Sequence, residues 1–497
     1  MTRASRKRSA ARGSERHERI VIVGAGMSGI LSAIKLREAG LEDFTIYEKA
    51  ARLGGTWREN TYPGIACDVP SHLYSYSFAP NPDWSHRFSP GEEIQRYFED
   101  VAQKHGVVER IRFGDEITRC AFRDGRWQLE LASGARDSAD FVIAATGVLH
   151  HPAMPDIEGL DSFEGAAFHS ARWNHDVALA DRRIGVVGTG STAVQIVSTV
   201  TASARKLSLF QRTAQWIMPQ DNPAYTDAEK ESFRRNPAAL RQLHSDLSRL
   251  FAESFSNAVV DANSPQMKMI EEVCRANLET NVTDPELRER LRPNYRAACK
   301  RLIVSPNFYA EIQRPNAELV TEAIERIEPG GVRTRDGRLH ELDVLVLATG
   351  FRADRFMRPI EITGRDGVRL DDVWAERPVA YLSISIPGFP NLFMLNGPNG
   401  PVGNFSLIEV AELQLAYVLQ LIDRVRRGEC REICATPEAT TAFDAARVEA
   451  AKKTVWTTGC RSWYLDDRGI PATWPYTFDR FREEMAAPNL AAFERIP

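Results

Sequence analysis

Two glycine-rich turns are the first segments whose residue types and spacing could bind a ligand. Gly24-Ala-Gly26-Met-Ser-Gly29 and Gly188-Thr-Gly190-Ser-Thr-Ala193 each follow a β-branched run and precede a helix-like stretch. Such turns let the backbone approach a pyrophosphate, and the helix N-terminus offers free N–H groups to it. Each turn therefore predicts a dinucleotide site, with contacts from Gly24, Gly26, Ser28 and Gly29 at the first and from Gly188, Thr189, Gly190 and Ser191 at the second.

The residues that follow the two turns differ in charge. Glu48 lies 19 residues after Gly29, where an acid can accept a hydrogen bond from a ribose hydroxyl. Arg212, followed by Thr213, lies 19 residues after Ala193, where a guanidinium can bind a 2′-phosphate. We therefore expect FAD at the first site and NADPH, rather than NADH, at the second.

Two cofactors in one chain imply electron transfer to an acceptor. The sequence has no Cys-x-x-Cys pair, and Cys67 stands alone, so O2 is the expected acceptor. Seven cysteines without framework spacing argue against a disulfide scaffold and are typical of a reducing cytoplasm. No ligand spacing supports a metal site at His150 and His151.

The elements that would position these residues form two repeats of strand, helix and strand. Two further strands, Phe141–Ala144 and Val344–Leu347, both end in Ala-Thr-Gly and are expected to close the two dinucleotide folds. The fold class is therefore α/β, with two Rossmann-like dinucleotide-binding domains and a helical insertion. We assign residues 18–160 and 345–497 to a discontinuous FAD domain and residues 161–344 to the NADPH domain.

The insertion, about residues 222–300, is polar and helix-forming, with Leu240, Leu243, Leu247 and Leu250 at helical spacing. We expect it to pack on the second dinucleotide fold. Phe251, Phe255 and the segment 267–269 could line an apolar substrate cavity, although ordinary core packing would give the same pattern.

Composition excludes several classes of protein. The 497 residues are 43% hydrophobic and 26% charged, with a net charge of −4, so global disorder, coiled coil and nucleic-acid binding are disfavoured. Residues 1–19 carry seven Arg or Lys and two Glu, and residues 1–17 are expected to be a disordered basic tail. The longest uncharged stretch, 378–408, is rich in Pro and Gly, so integral membrane association is not expected.

Two longer motifs resemble those of Baeyer–Villiger monooxygenases. Phe163-x-Gly165-x-x-x-His169-x-x-x-Trp173 is similar to the family fingerprint, and Gly54-Gly55-x-Trp57 with Tyr62-Pro63-Gly64-x-x-x-Asp68 is similar to a second motif. Asn174 departs from the Pro or Asp that is usual after the fingerprint Trp. The segments Cys299-Lys300-Arg301 and 457–464 look more like the branch of hydroxyacetophenone and long-chain ketone monooxygenases.

The resemblance implies a reaction and residue roles. NADPH reduces FAD, and a peroxyflavin formed with O2 attacks a ketone, expected to carry apolar substituents, to give an ester or lactone. Arg301 would stabilise the peroxide and Asp68 would pair with Arg301. Lys300 would help to hold the 2′-phosphate. His169 would belong to the linker rather than act as a base. Flavin contacts are expected from Gly55, Thr56, Trp57, Tyr74, Gly397 and Asn404.

Two other functions stay open at this point. A flavin-containing monooxygenase would oxygenate sulfur or nitrogen and would need the Arg301 cation less. An NADPH-binding flavoprotein without a substrate would consume NADPH slowly whatever organic compound is added. Arg301, Asp68 and Trp173 favour the ketone reaction.

Overall fold

The structure is a computed structural model that describes residues 18–497. Two five-stranded sheets, both parallel throughout, form its centre. In spatial order the first sheet contains Leu392–Met394, Phe141–Ala144, Ile20–Val23, Phe44–Glu48 and Ile111–Phe113. The second contains Ala317–Val320, Lys206–Phe210, Arg183–Val187, Val344–Leu347 and Ala166–His169. This architecture confirms the predicted α/β class with two Rossmann-type sheets.

The first strand shows why these runs are apolar on both faces. Ile20 and Ile22 lie in the core beneath the helices, whereas Val21 and Val23 face a mixed four-stranded sheet that contributes Trp127. Parallel strands covered on both sides need such continuous apolar sequence. The covering sheet contains Ile117–Arg123, Arg126–Leu131, Arg136–Ala139 and Glu361–Thr363.

Smaller sheets complete the β-structure. A three-stranded antiparallel sheet covers the second parallel sheet and contains Ile324–Glu328, Gly331–Thr334 and Leu339–Glu341. Two-stranded sheets join Ile217–Met218 to Ile303–Val304 and Glu432–Ala435 to Phe493–Ile496.

The α-helices supply the remaining layers. Met27–Glu38 packs against Leu407–Arg426 on the first sheet, and Ser191–Val200 packs against Phe308–Ile312 on the second. The other α-helices are Thr56–Glu59, Gly91–Lys104, Asp227–Arg235, Pro237–Phe251, Asn257–Val259, Pro265–Asn281, Pro285–Arg290, Leu370–Val373, Pro437–Ala451 and Phe478–Ala486. Of the helices described here, none is long and apolar enough to cross a membrane.

The chain crosses between the sheets after each Ala-Thr-Gly segment. Val344–Leu347 pairs with Arg183–Val187 and with Ala166–His169, so this strand lies wholly in the second sheet. The domain boundary predicted at 344/345 therefore cuts through a strand. Leu392–Met394 pairs with Phe141–Ala144, which returns the chain to the first sheet, as a discontinuous first domain requires. The basic tail predicted for residues 1–17 lies outside the described residues.

The insertion is helical, but the expectation that it packs on the second fold is wrong for its first half. Leu247 and Phe251 pack on the core of the first sheet, and Ser248 donates a hydrogen bond of 2.6 Å to Glu409. Leu278 of the later helix Pro265–Asn281 does reach the second core. Leu250 of the leucine stripe and Met269 of the predicted lining are 60% and 68% exposed, so both side chains lie outside the core.

The cysteines differ from expectation at one place. Cys299 and Cys460 form a disulfide, although they are 161 residues apart in sequence. Cys67, Cys120, Cys274, Cys430 and Cys434 are free and buried. Local spacing could not predict this bridge, because the tertiary fold alone brings the two residues together. A stable disulfide is typical of oxidising surroundings, whereas the cysteine spacing favoured a reducing cytoplasm.

Candidate active site

The first glycine turn lies so close to neighbouring backbone that only glycine fits at two of its positions. Gly24 has a φ of +100°, and a Cβ there would stand 2.8 Å from the carbonyl oxygen of Ala145. A Cβ on Gly29 would overlap the carbonyl oxygen of Gly24. The following helix begins at Met27 with Gly26 as its N-cap, so its first N–H groups have no side-chain cap. These groups point toward the place where a phosphate would bind.

Glu48 stands at the end of the second strand and is 5% exposed. Its carboxylate accepts hydrogen bonds from the backbone N–H groups of Ala25 and Ala50, both 2.9 Å, and from Arg58 Nη1 at 3.0 Å. An ionised carboxylate has about four acceptor positions, so one is left for a ribose hydroxyl. The predicted role of Glu48 is compatible with this geometry.

The second glycine turn has the same form but more open space. Gly188 has a φ of +116°, and a Cβ there would overlap the carbonyl oxygen of Ala348. No atom of the described chain lies within 4 Å of a Cβ built on Gly190. The helix Ser191–Val200 begins directly after Gly190. Thr189 Oγ1 donates a hydrogen bond of 2.7 Å to the carbonyl of Thr213. The open side of Gly190 is where a ligand backbone could approach.

Lys300 and Arg212 are two cations whose charges interact. Burial, followed by the positive charge of Arg212, lowers the pKa of the Lys300 ammonium. Lys300 Nζ also lies 4.8 Å from the centre of the Tyr295 ring. Within residues 18–497, neither Lys300 nor Arg212 forms an ion pair with a carboxylate. Two interacting cations without an acidic partner suit an anionic ligand such as a phosphate.

Arg301 and Asp68 form the central ion pair. Arg301 Nη2 donates to Asp68 Oδ2, and Nη1 donates to the carbonyl of Gly403. The two side chains are 27% and 28% exposed, so a ligand can still reach them. Burial alone would lower the pKa of Arg301, but the carboxylate of Asp68 and the hydroxyl of Tyr464 outweigh it and raise the pKa well above its ordinary value. Arg301 is therefore a permanent cation.

Aromatic residues stand close to this pair. Trp57 Nε1 donates a hydrogen bond of 3.1 Å to the hydroxyl of Tyr74. The two rings pack edge to face, with their centroids 5.6 Å apart. Burial raises the pKa of Tyr74, with a smaller contribution from neighbouring Cys67, so the phenol stays protonated. Burial also raises the pKa of the Cys67 thiol. A thiol held protonated is a poor nucleophile.

The loop predicted to return to a flavin contains a buried amide without partners. Asn404 is 1% exposed, and its Oδ1 and Nδ2 have no hydrogen-bond partner among the described residues. An unpaired buried amide costs about 1–3 kcal/mol. A ligand edge that presents both a donor and an acceptor would satisfy it. Gly397 is fixed by packing, because a Cβ there would overlap the carbonyl oxygen of Ser383.

The histidine of the fingerprint segment is hydrogen-bonded to the backbone where the chain leaves the second sheet. His169 Nδ1 accepts a hydrogen bond of 3.1 Å from the N–H of Ala171, so Nε2 carries the proton. Nε2 donates a hydrogen bond of 3.1 Å to the carbonyl of Gly350. Burial lowers the pKa of His169. Both nitrogens of a neutral ring are therefore occupied, and His169 has no free nitrogen for proton transfer.

The other fingerprint residues are packing residues. Trp173 meets Phe168 edge to face at 4.9 Å, and Phe163 lies against the core behind the second sheet. A Cβ on Gly165 would stand 2.5 Å from the carbonyl oxygen of Asp343. The fingerprint thus fixes the strand Ala166–His169 at the edge of the second sheet.

The structure also shows contacts that the sequence did not predict. The Tyr464 hydroxyl lies close enough to Arg301 for each group to affect the pKa of the other. Tyr62 donates a hydrogen bond of 2.8 Å to Gln195, on the helix after the second glycine turn. Gln195 Nε2 in turn donates 3.0 Å to the carbonyl of Ala66. The Tyr-Pro-Gly motif therefore connects the Asp68 loop to the second dinucleotide fold. Tyr464 lies in the 457–464 segment noted above, which was the available signal.

Comparison with known proteins agrees with this geometry. The flavin-binding monooxygenase-like family model matches residues 17–357. An uncharacterized monooxygenase of Mycobacterium tuberculosis is 50% identical over 469 residues, 94% of each chain. A Baeyer–Villiger monooxygenase of Streptomyces coelicolor is 38% identical over 486 residues, 96% of this chain and 92% of the relative. A solved OTEMO complex with FAD and NADP aligns with a TM-score of 0.86 at 27% identity, covering 96% of this chain and 99% of that one. The chain therefore belongs to the flavin-binding monooxygenase-like family and, within it, to the Baeyer–Villiger monooxygenases.

Proposed function

We propose that the protein uses NADPH, FAD and O2 to insert one oxygen atom beside a ketone carbonyl, giving an ester or a lactone. The observation that carries this proposal is the partly exposed ion pair of Arg301 and Asp68. Lys300, whose charge interacts with that of Arg212, directly precedes Arg301 in the sequence. The Baeyer–Villiger relative supports the reaction type, because that reaction converts ketones into esters.

The residues of both turns fit the two cofactors. Gly24, Gly26, Ser28, Gly29 and Glu48 would hold the FAD pyrophosphate and ribose, and Asn404 would pair with the flavin edge. Gly188, Thr189, Gly190 and Ser191 would hold the NADPH pyrophosphate, while Arg212, Thr213 and Lys300 would bind its 2′-phosphate. Bound FAD, once reduced by NADPH, supplies activated oxygen.

Arg301 would stabilise negative charge on that oxygen. Its raised pKa keeps it cationic at every working pH, and the bond to Asp68 fixes one edge of the guanidinium. A preorganised cation in a partly water-excluded site needs no reorganisation when charge develops. Sulfur and nitrogen react with a protonated oxygen species, for which a fixed cation offers less.

The substrate would be an apolar ketone. Phe255 and Met267 of the insertion pack in the same apolar cluster as Cys299 and Tyr464, the neighbours of Arg301. The insertion thus contributes apolar side chains to the surroundings of the proposed reaction site.

The test of the proposed function is turnover in air with NADPH and a panel of ketones and thioethers, followed by mass analysis of the products. Esters or lactones support the proposal, whereas sulfoxides alone, or NADPH oxidation without any oxygenated product, contradict it.

Gly190→Ala is expected to separate cofactor binding from folding. The protein has room for the added methyl group, but NADPH would lose the close approach of its pyrophosphate. We expect unchanged flavin content and thermal stability with a KM for NADPH raised about 10-fold or more, equivalent to one lost good hydrogen bond. Gly330→Ala, which also meets open space, is the matched control. An unchanged KM would show that the pyrophosphate does not bind at this turn.

His169→Ala is expected to have a modest effect. It removes the hydrogen bond to Gly350, which contributes about 0.5–1.5 kcal/mol, so the rate should fall by about tenfold or less. The shape of the pH–rate profile should not change. A general base would instead account for about 10²–10⁴-fold and for one limb of that profile. Loss of a limb in the variant would refute the linker role.

A further inference from the structure

The disulfide between Cys299 and Cys460 lies directly before Lys300 and Arg301, two cations with proposed ligand-binding roles. Cys299 is followed by Lys300 and Arg301, and Cys460 lies four residues before Tyr464. We propose that this bridge positions Lys300 and Arg301, and that its reduction by a dithiol weakens NADPH binding and uncouples NADPH oxidation from oxygenation. The inference rests on the proposed roles of these two cations and adds positioning residues and redox control to them.

Arg301 interacts with groups from three distant parts of the chain. Asp68 comes from the first domain, Gly403 from the loop before Leu407–Arg426, and Tyr464 from the segment near the C-terminus. Gly403 and Tyr464 are in close contact, because a Cβ on Gly403 would overlap the Tyr464 hydroxyl. The bridge is the covalent connection between the Tyr464 segment and the Arg301 loop.

The bridge also holds a loop with an unfavourable backbone conformation. Ala298, just before Cys299, has a φ of +61°, the left-handed region that non-glycine residues rarely adopt. Such a conformation persists only where the surroundings enforce it. Opening the bridge would remove one constraint from this loop, and Lys300 and Arg301 lie immediately after it.

A reductant can approach from the side of Cys460. Both cysteines are buried, at 0% and 7% exposure, but Gly459 and Arg461 on either side of Cys460 are exposed. A dithiol thiolate would attack Cys460 Sγ, and the S–S bond would break to release the Cys299 thiolate, which takes up a proton. The second thiol of the reductant would then displace Cys460 as a thiol and close its own disulfide. The protein gains two electrons and two protons, and the dithiol loses them.

Cys274 provides a matched control for a merely structural role. It is a free cysteine with 0% exposure in the same apolar cluster as Cys299 and Cys460. Cys274→Ala should lower the stability of the fold by loss of packing, without moving Lys300 or Arg301. If the bridge only stabilises the fold, Cys299→Ala/Cys460→Ala should behave in the same way.

The test uses the flavin-loaded full-length enzyme, purified without reductant. Thiol titration after denaturation should give five thiols, and seven after dithiothreitol treatment. In Cys299→Ala/Cys460→Ala we expect the KM for NADPH to rise about 2- to 30-fold, the usual range for positioning effects. The ratio of product to NADPH consumed should fall, with peroxide released instead. Dithiothreitol should reproduce both changes in the wild type and add nothing in the double variant.

Three results would overturn the proposal. The first is seven titratable thiols in the untreated enzyme. The second is an unchanged KM for NADPH and an unchanged coupling ratio in the double variant. The third is an unchanged KM and coupling ratio in wild-type enzyme whose bridge is open, as verified by thiol titration. Arg301→Ala, measured in parallel, separates this outcome from the proposed function. If that variant couples normally, the role of Arg301 fails, whereas the KM for NADPH still reports on Lys300 and the bridge.

Discussion

Arg301→Ala is expected to lower the kcat of ketone oxygenation by about 10²–10³-fold, the usual cost of removing one preorganised electrostatic partner. The reason is that Arg301 is the cation paired with Asp68 at the proposed reaction site, and its raised pKa keeps it charged throughout. NADPH should still be oxidised, because the second glycine turn and Arg212 are untouched. The measurement is product formed per NADPH consumed, with hydrogen peroxide quantified in the same reaction.

Arg296→Ala is the control for this experiment. Arg296 lies on the same segment and forms an ion pair with Glu271 at 2.6 Å, but it does not contact Asp68. We expect its loss to leave the coupling ratio near that of the wild type. Arg301→Lys should recover part of the activity, since it keeps the charge but not the planar guanidinium. Full oxygenation by Arg301→Ala would remove Arg301 from the mechanism.

Arg212→Ala/Lys300→Ala is expected to abolish most of the preference for NADPH over NADH. Each charge-assisted hydrogen bond to a phosphate contributes about 1.5–3 kcal/mol, or about 10- to 150-fold in affinity. NADH has no 2′-phosphate, so its KM should change little. Steady-state kinetics with both nucleotides would give the ratio directly, and the single variants should each show part of the loss.

Arg205→Ala is the matched control for the nucleotide experiment. Arg205 is an exposed arginine of the same domain that pairs with Asp181 at 2.9 Å. Its replacement should leave both KM values unchanged, because exposed ion pairs contribute little. If the double variant of Arg212 and Lys300 kept the wild-type preference, the 2′-phosphate would have to bind elsewhere.

The sequence predicted those features that depend on local spacing. Gly24 and Gly188 lie in tight turns and Gly29 in the first turn of the following helix. A side chain at any of the three would collide with backbone, so their identity already indicates the motif. Strands such as Ile20–Val23 are apolar at every position because both faces are covered. Turn geometry and strand burial are therefore visible in a few adjacent residues.

Contacts between distant segments were not predictable in this way. Tyr464 reaches Arg301 and Cys460 reaches Cys299 across more than 160 positions, and no local period encodes either approach. The helix Pro237–Phe251 carries an apolar stripe, but a stripe does not say which core it covers. The same holds for Val344–Leu347, whose composition suits either sheet and whose pairing alone places it in the second.

Oxygen transfer from ¹⁸O2 tests the central claim most directly. Wild-type enzyme and Arg301→Ala would receive NADPH and a mixture of apolar ketones and thioethers, with mass spectrometry of products and of peroxide. We predict one labelled oxygen in the ester or lactone from the wild type, and label almost entirely in hydrogen peroxide from Arg301→Ala. Labelled sulfoxide as the sole product, or labelled ester formed equally well by Arg301→Ala, would contradict the account.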